Sequence, residues 1–148
     1  MGIRKNTVKI NTALISLSDK SNLRPLLNLL HENNIKIISS GGTYNKIKAM
    51  GFKCQEISKF TNSSEVLGGR VKTLHPKIYS GILNKRKNKK HMREMKINNY
   101  KNIDLVIVNF YPFENVLLNK SNHNKIIENI DIGGPTLVRA AAKNYNDV

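Results

Sequence analysis

The sequence predicts an α/β fold built on a mostly parallel central sheet. Short apolar runs alternate with stretches of helical periodicity, the order that generates strand–helix–strand units with right-handed crossovers. One run, Leu105-Val106-Ile107-Val108, is apolar at consecutive positions and largely β-branched, as in a parallel strand covered on both faces. No internal repeat or low-complexity linker interrupts the pattern, and 148 residues is about one ordinary domain.

Taken in order, Ala13–Leu17 reads as a buried strand. Ser18 or Ser21 then caps a helix carrying Leu23, Leu26, Leu27 and Leu30 at helical spacing. Pro25 falls in its first turn, where a missing N–H costs little, and the helix ends at Glu32-Asn33-Asn34. A second strand, Ile35–Ser39, runs into Ser40-Gly41-Gly42-Thr43 and a helix that stops before Gly51. Cys54–Ile57 is a third, short strand and Ile78–Leu83 another. The charged stretch after Leu83 turns helical. Beyond the Leu105–Val108 strand come two helices, about Asn122–Asn129 and Pro135–Lys143.

Composition removes several classes of function. Apolar residues make up 39% of the chain, a globular proportion, and no apolar run approaches the roughly 20 residues of a membrane-spanning helix. The start, Met1–Lys9, is basic but leads into no apolar segment of a secretion signal, so a cytoplasmic protein is expected. A lone Cys54 forms neither an internal disulfide nor a cysteine-rich zinc site. The net charge of +15 invites a polyanion partner. Yet the densest basic run, Asn84–Arg93, carries no aromatic residue for base stacking and reads as a solvated helix face or loop. No nucleic-acid partner is expected; a positive field also suits a phosphorylated small molecule.

In parallel sheets, ligands gather at the carboxyl ends of the strands, and here those ends carry the chemistry. The first strand ends in Ser16-Leu17-Ser18-Asp19-Lys20. The second ends in Ser40-Gly41-Gly42-Thr43, where glycines admit a phosphate close to the backbone and a helix N-terminus offers unpaired N–H groups. An ordinary capped turn would read the same way. The segment Gly68-Gly69-Arg70-Val71-Lys72-Thr73-Leu74-His75-Pro76 is more telling, with two glycines, two cations, a hydroxyl and an imidazole in nine residues and no periodicity. Arg70 suits a phosphate fork and Lys72 a point charge or proton donor, whereas His75 before Pro76 is expected to fix the turn. Asn109 and Tyr111 leave the clearest strand facing the crevice, while Phe113 reads as core or rim packing. Asp131-Ile132-Gly133-Gly134-Pro135-Thr136 then enters a helix that places Arg139 and Lys143 one turn apart.

These segments, in this order from about Ala13 to the last residue, resemble the amino-terminal module of the bifunctional purine-biosynthesis family that couples a formyltransferase to inosine monophosphate (IMP) cyclohydrolase. Two stretches, Gly69–Lys77 and Asp131–Asn144, are long and specific. The resemblance implies a methylglyoxal-synthase-like fold, a Rossmann-like three-layer sandwich. It also implies a reaction without metal or cofactor: 5-formamidoimidazole-4-carboxamide ribotide closes to IMP with loss of water. By the same resemblance Ser16, Ser18, Lys20, Ser40, Gly42, Thr43 and Arg70 hold the 5′-phosphate and neighbouring groups. Lys72, Thr73, Asn109, Tyr111, Asp131, Gly133 and Lys143 surround the reacting base. Of these, Lys72, Lys143, Asp131 and Tyr111 are the catalytic candidates.

Tyr79 stands where relatives usually carry His, and no role is assigned to it. Relatives also continue past the Lys143 helix with a further strand, for which Val148 would be the first residue, and then with the folate-dependent formyltransferase half. The expectation is therefore one cyclohydrolase domain over residues 1–148, shortened at its C-terminal end and without that half, in a family that tends to form homodimers. Alternative readings are an inactive remnant and a domain of the same fold that binds a phosphorylated metabolite.

Overall fold

The computed structural model describes residues 7–119 and 121–148; the first six residues of the basic start lie outside them. Four strands form one all-parallel sheet: β1 (Thr12–Ser16), β2 (Lys36–Ser39), β3 (Gln55–Glu56) and β4 (Leu105–Val108), in spatial order β3-β2-β1-β4. Leu14 pairs with Ile38 on one side and Val106 on the other, which fixes the register of the three central strands. Eight helices accompany the sheet among the described residues: α1 (Leu23–Glu32), α2 (Gly41–Ala49), α3 (Ile57–Thr61), α4 (Pro76–Leu83), α5 (Lys89–Ile97), α6 (Phe113–Leu118), α7 (His123–Glu128) and α8 (Gly133–Lys143).

Alternation along the strands sends successive side chains to opposite faces, and each face has its own core. Ala13, Ile15 and Ile37 pack with Leu23, Leu27 and Leu30 of α1 and Ile47 of α2. Leu14 and Ile38 pack on the other face with Ile57 and Phe60 of α3, Ile78 and Ile82 of α4, and Leu137 and Ala140 of α8. A helical layer therefore lies on each side of the sheet, giving the α/β fold read from the sequence pattern and the three-layer sandwich that the family resemblance implied. Each fully buried Leu or Ile contributes about 1.5–3 kcal/mol.

Two local expectations change. Ile78–Leu83 is not a strand but most of α4. Pro76 opens that helix, and His75 Nδ1 caps it by accepting from Lys77 N at 3.1 Å, the turn-fixing role expected of His75. Ile78, Tyr79, Ile82 and Leu83 are one helical stripe that a short apolar run disguises. Neither Ser18 nor Ser21 caps α1, whose flanking residue is Asn22; Ser21 instead bonds the Asp19 carboxylate through its N–H and hydroxyl. Val148, the last residue given, is partly buried and packs against the core cluster that holds Leu137 and Ala140.

In the basic run Asn84 is buried, and Arg86 is the one Lys or Arg that is not exposed. That guanidinium is half-buried, donates to the carbonyls of Gly81 and Ile103, and pairs with Asp104. Asn144 is also buried, with Nδ2 donating to the carbonyls of Ile82 and Asn84 at 2.8 and 2.9 Å, so the ends of α4 and α8 are tied together.

Helix α4 passes so close to the entry of β4 that a Cβ on Gly81 would lie 2.8 Å from the Lys101 carbonyl oxygen and 3.2 Å from Ile103. Gly81→Ala is expected to lower stability by about 1–3 kcal/mol despite the better helix propensity of alanine, because the obstacle is backbone. Chemical denaturation checks it, and an alanine variant as stable as the parent would mean that α4 is free to shift.

Candidate active site

β1 lies between β2 and β4, so the loops leaving β1 and β4 part in different directions and a crevice opens at their carboxyl ends. A cleft of about 710 Å³ occupies that position, within the size range of small-molecule sites. Its floor is the β1 end, Ser16 to Lys20. Ser40, Gly42 and Thr43 at the start of α2 form one wall, and residues 68–74 form another. Asn109 and Tyr111 after β4 and the 130–134 entry to α8 complete it, with Ile127 and Glu128 of α7 above.

The start of α2 gathers positive charge. Ser40 is extended and makes no side-chain cap, so its hydroxyl is uncommitted. Gly41 has φ +53°, and a Cβ there would lie 3.1 Å from Lys72 Nζ. A Cβ on Gly42 would lie 3.9 Å from Lys20 Nζ. Two ammonium groups thus flank a helix N-terminus whose N–H groups and dipole also favour an anion. Lys20 is steadied by donating to the Ser18 carbonyl at 2.8 Å.

Two of the expected ligand residues, Asn109 and Thr43, line the cleft and also hold its loops. Asn109 Oδ1 accepts from the N–H groups of Ser18 and Asp19 at 2.6 and 3.1 Å, while Nδ2 donates to the Asp19 carbonyl at 2.7 Å. One side chain after β4 therefore fixes the turn after β1. Thr43 does the same from α2: its hydroxyl accepts from Leu17 N and donates to the Leu17 carbonyl. The Asp19 carboxyl is held below its ordinary pKa by the Ser21 N–H and hydroxyl, so this part of the turn weakens as pH falls through that lowered value.

On the opposite side, Asp131 Oδ1 accepts from Gly134 N at 2.9 Å and anchors the first turn of α8. A Cβ on Gly133 would meet Thr73 Oγ1 at 2.7 Å, so glycine lets α8 begin against the 68–74 loop. Arg70 projects at the mouth and bonds Glu128. Every sequence-predicted site residue lines this cleft except Lys143. Lys143 is exposed at the other end of α8, about 15 Å along the helix axis from Gly133 at 1.5 Å per residue.

With this geometry described, likenesses to known proteins carry weight. Residues 22–136 match the MGS-like domain. The chain belongs to the MGS-like domain family. The bifunctional purine biosynthesis protein PurH of Prochlorococcus marinus (strain MIT 9301) is 49% identical over 137 residues, 92% of this chain and 26% of that protein. PurH of Buchnera aphidicola subsp. Schizaphis graminum (strain Sg) is 51% identical over 140 residues, 94% of this chain and 26% of that protein. This MGS-like domain thus spans about a quarter of the length of the curated relatives it matches. The crystal structure of ForH superposes with a TM-score of 0.79 at 33% identity, covering 95% of this chain and 72% of that one. The motif-based likeness to the purine-biosynthesis family holds in these matches.

Sequence reasoning missed the contribution of α7 to the MGS-like domain's cleft, Glu128 above all, because an acidic residue at a polar helix end carries no local signal. Nor did it foresee that Asn109, which lines the cleft as expected, also fixes the turn after β1 through Ser18 and Asp19. Among the described residues no helix is long and apolar enough to cross a membrane, and no three His, Cys, Asp or Glu side chains cluster to hold a metal.

Asn109→Ala removes three bonds at once and is expected to cost about 1–3 kcal/mol while loosening the 17–20 turn. Amide hydrogen exchange reads it directly: Ser18 and Asp19 should exchange faster, and unchanged protection there would show that the turn holds itself.

Proposed function

We propose that this chain is an IMP cyclohydrolase, closing 5-formamidoimidazole-4-carboxamide ribotide to inosine monophosphate with loss of water. The observation that carries the reading is one cleft whose two ends differ in chemistry. Lys20 and Lys72 meet the start of α2 at one side, while Tyr111 and the Asp131–Gly134 turn stand at another. A ribotide has the same division, a phosphate at one end and a neutral heterocycle with amide groups at the other.

The reaction needs placement before it needs strong acid or base. The ring bond forms between the carboxamide nitrogen and the formyl carbon of the same molecule. The nitrogen gives up one proton, the formyl oxygen leaves as water, and the formamido nitrogen gives up its proton as the new C=N bond forms. Holding the two groups in the reactive rotamer is worth up to about 7–11 kcal/mol in ideal cases. Anchoring the phosphate at α2 and the base at α8 fixes both ends of the ligand, which supplies that constraint.

In this scheme Asp131 orients or deprotonates the carboxamide. One of its oxygens is fixed by Gly134 N, so the carboxylate is already aimed. Lys72 meets the developing oxyanion or donates to the departing oxygen, a donor worth on the order of 3 kcal/mol. Its ammonium lies near Gly41, and either the phosphate or the oxyanion is within the arc of so long a side chain. Tyr111, 43% exposed at the rim, is a supporting donor. Ser16, Ser18, Ser40, Gly42, Thr43, Thr73 and Gly133 shape the remaining walls. Lys143 receives no role in the cleft formed by a single chain.

The test mixes the purified chain with the formamido ribotide and follows purine-ring absorbance, with Lys72→Ala and Asp131→Asn as controls. Turnover that falls more than tenfold in each variant is the expected result. No turnover from a chain shown by circular dichroism to be folded would instead favour a domain that binds a phosphorylated metabolite without converting it.

A further inference from the structure

The Arg70–Glu128 pair is unlike the other charges of the cleft. Lys20 and Lys72 sit half-buried against α2, and neither forms an ion pair with a carboxylate among the described residues. Arg70 is the one cleft cation there that does, and its partner comes from the opposite wall, 58 residues away at the end of α7. Both side chains are 62% exposed, so the pair is held by little besides its own attraction and is readily exchanged. A guanidinium at the mouth of an anion site that is already bonded to a carboxylate is not freely offered to any ligand that enters.

We infer that Glu128 tempers phosphate affinity: its carboxylate competes with the ligand's phosphate for Arg70, so that the cleft holds a phosphorylated riboside less tightly than its cations alone would. The inference rests on the phosphate-binding part of the reading above. A phosphate dianion brings more charge than a carboxylate and accepts from the guanidinium fork in the same bidentate manner, so it displaces Glu128. A ligand without phosphate leaves the Arg70–Glu128 bond in place and is indifferent to it. Glu128 acts only through Arg70 and touches no reacting atom; it is a positioning residue.

Ribose 5-phosphate and ribose are the probes, titrated into the full chain by calorimetry or NMR. Glu128→Gln is expected to tighten ribose 5-phosphate about two- to fivefold, the range an exposed ion pair supplies, and to leave ribose unchanged. Glu128→Asp, which keeps the carboxylate, should bring affinity back toward that of the parent. The gain from Glu128→Gln should vanish when Arg70→Ala is also present, since a mere change in the surrounding field would survive that substitution. Unchanged or weaker binding by Glu128→Gln overturns the inference, and so does a gain that persists without Arg70. If ribose 5-phosphate binds no variant at all, the inference falls together with the phosphate site. If the binding pattern holds but the formamido ribotide is not cyclised, only the ring-closure reading falls.

Discussion

The parallel placement of β1 between β2 and β4 is the constraint on which the cleft depends. Because all strands run the same way, Ser16, Ser39 and Val108 end at one edge of the sheet, and the loops that follow must all begin there. Two side chains turn that coincidence of endings into a fixed shape. Asn109 reaches from β4 to the turn after β1, and Thr43 reaches from α2 to the same turn. Ser39 adds a buried bond from its hydroxyl to the Ile15 carbonyl, one step below. The loop that carries Ser18 and Lys20 is therefore gripped from both sides, and its cation is positioned without being buried.

Much of this arrangement was legible in the sequence because strand ends announce themselves. Leu105–Val108 is legible as a strand, although it lies at the side of the sheet and its four residues are only partly buried. The polar residues after each apolar run had to lie at the sheet's carboxyl edge. The misreading of Ile78–Leu83 shows the limit of that signal. Four apolar residues in a six-residue span fit either period, and the deciding information lay upstream, in a histidine cap followed by proline. Lys143 illustrates a different limit. Its resemblance-based role says nothing of the ten helical steps that separate it from Gly133, and only the direction of α8 places it outside the cleft. Glu128 was invisible for the opposite reason, since its meaning comes from Arg70 across the cleft.

Electrostatics explains how a very basic chain can still be selective. The +15 charge is spread largely over exposed lysines, which raise the potential for any anion but choose none. Selection requires charge in a fixed geometry, and among the described residues that geometry is the start of α2 with Lys20 and Lys72 beside it. The acidic groups of the cleft lie away from this point, Asp131 tied to α8 and Glu128 at the mouth. On the proposed function, this separation would give a phosphorylated ligand one orientation, with its other end directed to Tyr111 and Asp131.

The most direct test of this account is an amide NMR titration of the isotopically labelled chain with inosine monophosphate, the proposed product. The largest shifts are expected at Ser16–Lys20, Ser40–Thr43 and Arg70–Thr73, with a second group at Asp131–Gly134. Shifts confined to the basic face of α5, or absent from the start of α2, would contradict a ribotide cleft at the carboxyl edge of the sheet.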